Sequence, residues 1–188
     1  MGHWNTKEGI MELLYRLVKV PSVTGTRGEL RMEDEISAIL KEMPYFQKYP
    51  DQIYRKEITG DLLNRKAVAA FYQGSKTSKK TIILLSHYDV VGVEDYGRLA
   101  PLAFSPLECT SAMAEENLSV DAEQDLKSGE WIFGRGIMDM KAGLAIQMAL
   151  LSEASEQGNL KHNLLFLATP DEERYSAGMF AGVELIKG

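Results

Sequence analysis

The chain has 188 residues, 45% hydrophobic and 26% charged, which fits a globular domain with a buried core and excludes a largely disordered chain. Its 21 Lys and Arg against 27 Asp and Glu give a formal charge of −6 without any basic block, which argues against nucleic acid as a partner. One cysteine, Cys109, excludes an internal disulfide and a cysteine-rich zinc site, and no run reaches the ~18 apolar residues of a membrane helix.

Ile10, Leu13, Leu14, Leu17 and Val18 recur at helical spacing, so residues 6–19 are expected to form an amphipathic helix. Asn5 with Glu8 reads as its capping pair, and Pro21 stops it. Lys7, Glu8, Glu12, Arg16 and Lys19 interrupt any apolar leader, so the cytoplasm is the expected location. Thr26 with Glu29 opens a second helix with the stripe Leu30, Met32, Ile36, Ile39, Leu40 and Met43, ending before Pro44. Ala67 to Tyr72 is a short apolar stretch. Thr81 to Leu85 is a continuous apolar run, as in a strand buried on both faces. Residues 92–130 read as a long polar loop without helical period, holding Pro101 and Pro106. A helix from Lys141 to about Glu156, a strand from Asn163 to Ala168 and a helix over 176–187 capped by Gly188 complete the chain. Strands alternating with helices predict an α/β sandwich with a mostly parallel sheet.

In such sheets ligands bind outside the carboxyl ends of the strands. One expected strand ends in Ser86-His87-Tyr88-Asp89, the other in Thr169-Pro170-Asp171-Glu172-Glu173. Gly136-Ile137-Met138-Asp139-Met140-Lys141 lies where a loop enters a helix. Each group alone has an ordinary reading: a hydrogen-bonded His87, Asp139 as a helix cap, Glu172-Glu173 as a solvated turn. Together, one imidazole and several carboxylates form a donor set for zinc or a similar divalent ion in a hydrolytic site. Residues i and i+2 share a strand face, which allows Asp89 to hydrogen-bond His87 and fix its tautomer. A carboxylate such as Asp139 can bridge two metals, and a neighbouring unbound carboxylate can act as a base. No G-x-S-x-G elbow and no phosphate-binding glycine loop is present, and Cys109 has no nearby His. His162 reads as structural, and His3 as terminal.

The three strings, with Val20 to Gly25 and Ser176-Ala177-Gly178, resemble the signature of the dizinc aminoacylase/carboxypeptidase family. That family includes acetylornithine deacetylase and succinyl-diaminopimelate desuccinylase. A narrower resemblance, to arginine-utilisation proteins of the RocB type, rests on Pro44-Tyr45-Phe46, Val93 to Gly97, Ala103-Phe104 and Lys127 to Trp131. The family resemblance implies a three-layer α/β sandwich of the zinc-peptidase type. It implies two zinc ions, for which cobalt or manganese could substitute. His87 would bind one zinc, Glu173 the other, and Asp139 would bridge both. Glu172 would be the general base on the bridging water, Asp89 would orient His87, and the Asp139–Met140 peptide would be cis. The implied reaction is hydrolysis of an amide bond in a peptide or N-acyl amino acid, within arginine utilisation for the narrower branch.

Each zinc in that family takes one further protein ligand, and after Glu173 the chain has neither His nor Asp. Residues 1–188 are therefore expected to be the amino-terminal part of a catalytic domain, with an insertion at about 92–130 and without the family's dimerisation domain. Two readings stay open: a truncated metallo-amidohydrolase, or a non-catalytic fragment or binding protein that keeps the fold but cannot complete the dizinc site. A sheet cut short leaves an apolar edge, so a homodimer or an aggregation-prone monomer is expected.

Overall fold

A computed structural model describes residues 4–187; His3 and the cap expected at Gly188 lie outside them. Helix α1 spans Lys7–Val18 and buries Leu13, Leu14, Leu17 and Val18. Its cap is Thr6 rather than Asn5: Thr6 Oγ1 accepts the Gly9 N–H at 3.1 Å. Helix α2 spans Gly28–Glu42 and buries Met32, Ile36, Ile39 and Leu40 of the expected stripe. Thr26 Oγ1 accepts the Gly28 N–H at 3.1 Å, while Glu29 turns back to the Gly25 N–H at 2.7 Å. Pro44 opens a further short helix, α3 (Pro44–Lys48), at the position where its missing N–H costs nothing.

Four strands follow: β1 (Ile53–Glu57), β2 (Lys66–Tyr72), β3 (Thr81–His87) and, after the long helix α6 (Ala142–Gln157), β4 (Asn163–Thr169). They form one sheet in the order β1-β2-β4-β3. The α/β layering is as expected, but the sheet is mixed. β1 with β2 and β2 with β4 run antiparallel, and β3 with β4 runs parallel. Unbroken apolar runs report burial on both faces and carry no information on strand direction.

That burial belongs to β2 and β4. Val68, Ala70, Tyr72, Leu164, Phe166 and Ala168 enter the core built by α1, α2 and α6 (Ala142–Gln157). Ala67, Ala69, Leu165 and Leu167 pack with Ala181 of α7 (Ala177–Lys187) on the other face. β3, expected to be doubly buried, is an edge strand: Ile82, Ile83 and Leu85 are 51%, 49% and 43% exposed. The segment 92–130, expected to be a loop, winds into short helices. These are 3-10 turns at Glu94–Leu102 and Met113–Glu115, α4 (Pro106–Ala112) and α5 (Val120–Ser128). Ser119 caps α5, and Gly129 ends it in the left-handed conformation. Helices this short, and in α5 without a buried side, leave no apolar period to read.

Candidate metal site

Because β3 and β4 are parallel and in register, with His87 opposite Thr169, they deliver their following residues to one edge. Ser22 and Tyr88 brace that edge. Ser22 Oγ donates to the Tyr88 carbonyl at 2.6 Å, and the buried Tyr88 hydroxyl donates to the Lys66 carbonyl at 2.8 Å.

The third string arrives as a tight loop. Gly136 has a φ of 75°, and a Cβ there would lie 2.3 Å from Val90 Cγ1. Ile137–Lys141 follows as a π-type turn in which Asp139 and Met140 leave helical geometry, and the Asp139–Met140 peptide is cis. Lys141 anchors the loop. Fully buried, its Nζ donates to the Leu17 and Val20 carbonyls at 3.0 and 2.8 Å, at the end of α1. Burial lowers its pKa to about 7, against the pull of Asp89.

The expected donors meet here. His87 Nε2 lies 2.9 Å from Asp139 Oδ1 and 3.8 Å from Glu172 Oε2. Donor atoms of His87, Glu172 and Glu173 lie within 4.8 Å of one another. His87 is buried, while the Asp139 and Glu172 side chains are 75% and 51% exposed. Asp139 and Glu173 open on a cleft lined also by Val91, Gly134, Arg135, Gly136 and Met138. Arg135 pairs with Asp95 and lies 4.9 Å from the Tyr96 ring, fastening the 94–102 turn to the cleft wall.

Asp89 does more than face His87. Its carboxylate accepts the N–H groups of Glu172 and Glu173 at 3.0 and 3.1 Å and the Thr24 hydroxyl at 2.8 Å. His87 Nδ1 is 3.1 Å from the Asp89 carbonyl and 3.6 Å from its carboxylate. Burial opposes the Asp89 charge, but His87 and these donors hold its pKa below the usual carboxylate value.

Burial likewise opposes charge on His87, yet Asp89 and Asp139 raise it to about 9. Burial, then the charges of Asp139, Asp89 and Glu172, push Glu173 upward, against the pull of His87. Carboxylates crowded around one imidazole in this way are relieved by a divalent cation, so the donor set fits a metal of the zinc type.

Sequence reasoning missed the residues beneath the acidic turn. Arg65 joins Glu29, Asp61 and Asp171 in a buried ion network. Burial raises Glu29 to about 7, against Arg65. The available signal was Glu29 and Glu33 on the same helical stripe as Ile36 and Leu40: carboxylates on a buried face call for a partner.

Residues 83–188, over half of the chain, match the model of peptidase family M20/M25/M40, and the chain belongs to that family. Its relatives include two proteins of Bacillus subtilis (strain 168). It is 42% identical over 187 residues to YqjN, which is itself called uncharacterized, covering 98% of this chain and 33% of YqjN. It is 38% identical over 184 residues to Protein RocB, covering 97% of this chain and 32% of RocB. The chain thus spans about a third of the length of these relatives. An M20 family metallo-carboxypeptidase, Sso-CP2 from Sulfolobus solfataricus, shares the fold with a TM-score of 0.59 at 18% identity, over 87% of this chain and 31% of that one.

Proposed function

We propose that the chain forms the amino-terminal, metal-binding part of a catalytic domain that hydrolyses an amide bond in a peptide or an N-acyl amino acid. The observation that carries this is the convergence of His87, Asp139, Glu172 and Glu173 at the shared end of β3 and β4, in a chain of a peptidase family. In this reading His87 and Glu173 would each hold a zinc ion and Asp139 would serve both, and cobalt or manganese could take the same donors. Zinc, when bound, supplies a Lewis acid for the scissile carbonyl.

Glu172 is half exposed beside His87 and Glu173, and in this reading it serves as the base rather than as a ligand. It takes a proton from the attacking water and returns it to the leaving amine. Asp89 keeps Glu172 and Glu173 in place through their N–H groups and faces His87 from the Nδ1 side. The cleft beside Arg135 admits the substrate. The RocB likeness supports a substrate from arginine utilisation. The unpaired, buried Cys109 suits a reducing cytoplasm. Pairing of two copies along β3 belongs to the same reading, on its free edge.

Metal titration followed by calorimetry tests the assignment. His87→Ala and Glu173→Ala should each weaken zinc uptake by the chain. Glu172→Ala should leave zinc uptake nearly unchanged, yet abolish hydrolysis of N-acyl amino acids when placed in a full-length relative. Loss of zinc in Glu172→Ala would mean that the base and ligand roles are exchanged.

A further inference from the structure

Arg65 stands just before β2, far in sequence from the acidic turn, yet its guanidinium reaches the residue that begins that turn. Nη1 donates to Asp171 Oδ1 at 2.8 Å and to the two oxygens of Glu29 at 3.1 and 3.0 Å. Asp61 takes the rest of the fork, accepting Nη2 at 2.7 Å and Nε at 3.1 Å. A planar fork fixed along one side presents its remaining nitrogen in a set direction, which a lysine cannot do.

Asp171 carries that constraint onward. Its φ is 68°, an uncommon conformation for a residue with a side chain, and one that its surroundings must hold. Its N–H donates to Glu29 Oε1 at 3.1 Å, and its Oδ2 accepts the Ala177 N–H at 3.2 Å. Its carbonyl accepts the N–H groups of Tyr175 and Ser176 at 3.1 and 2.6 Å, closing the turn that displays Glu172 and Glu173.

We propose that Arg65 is a positioning residue of the metal site: with Glu29 it locks Asp171, and through Asp171 it sets where the Glu172 and Glu173 carboxylates stand. The inference rests on the reading of these carboxylates as part of a metal site, and its test keeps the two apart.

Hydrogen exchange at the Tyr175 and Ser176 amides reads the turn without metal, and cobalt(II) absorption reads the donors with it. Arg65→Lys keeps the charge without the fork, and Glu29→Gln keeps the shape without the charge. In both, exchange at Tyr175 and Ser176 should quicken about tenfold or more, while exchange at Phe166 in β4 stays as in the parent chain. Cobalt affinity should fall about 10- to 100-fold. Unchanged exchange at Tyr175 and Ser176 in both folded variants would overturn the proposal. So would exchange that quickens equally at Phe166, since Arg65 would then support only overall stability. Cobalt affinity equal to the parent's, despite a loosened turn, would also overturn it. A parent chain that binds no cobalt would sink the metal reading, and the exchange pattern would still decide whether Arg65 sets the turn.

Discussion

His87 gives the site a proton balance that can be measured. Raised from 6.5 to about 9, it holds its proton more strongly in the fold than in the unfolded chain. It therefore adds stability that is full below about pH 6.5 and lost as the pH rises to about 9, on the order of 3 kcal/mol. Lys141 works the other way: lowered from 10.5 to about 7, it makes the fold gain stability as the pH rises between those values. The two slopes overlap, so the informative comparison is with His87→Gln. Urea unfolding in a chelator should show the stability gap between chain and variant widest at about pH 6 and nearly closed at about pH 9. A gap independent of pH would remove the His87 proton from the account. On the proposed reading of His87 as a ligand, an incoming metal ion would displace that same proton, so zinc uptake should strengthen across the same interval. That His87, Asp139, Glu172 and Glu173 meet at one edge was legible, because each stands at a strand end or a loop entry on that edge. Arg65 was not, because its partners Glu29 and Asp171 lie 36 and 106 residues away and nothing beside it in sequence marks them.

Among the elements, the loop that carries Asp139 depends on Gly136. A side chain there would have to adopt a φ of 75° and displace Val90, so Gly136→Ala should cost about 1–3 kcal/mol and weaken metal binding by moving Asp139. Thermal melting with and without zinc checks both parts; a variant that melts like the parent would show that Val90 yields freely. The apolar runs that became β2, β3 and β4 were legible, as were α1, α2, α6 and α7. β1 was not, since Ile-Tyr-Arg-Lys-Glu at a sheet edge is half exposed and mostly polar. The helices of the 92–130 segment were hidden for a related reason: α5 buries none of its residues, so capping by Ser119 and Gly129 is its clearest mark.

For the whole molecule, alternating strands and helices revealed the α/β layers but not the strand order, because alternation does not encode which strands pair. Among the described residues the order leaves one edge of β3 unpaired, and there Ile83 and Leu85 share one exposed face. Exposed apolar edges invite association. The pair Ile83→Lys and Leu85→Lys should therefore lower self-association in light scattering at high concentration with little loss of thermal midpoint. Association that persists would move the contact to another face. β4 is also the latest of these strands in the chain, and it occupies the place between β2 and β3. On the ribosome β1 and β2 can pair as they emerge, but β3 appears with no strand to join. It waits while the 92–130 segment and α6 are made, a delay of several seconds at ~5–20 residues per second. These four strands can join only after that, when residues 163–169 take their place between two strands already made. Until then β2 lacks one of its neighbours and β3 lacks its partner β4, and this is the interval in which a chaperone would matter most.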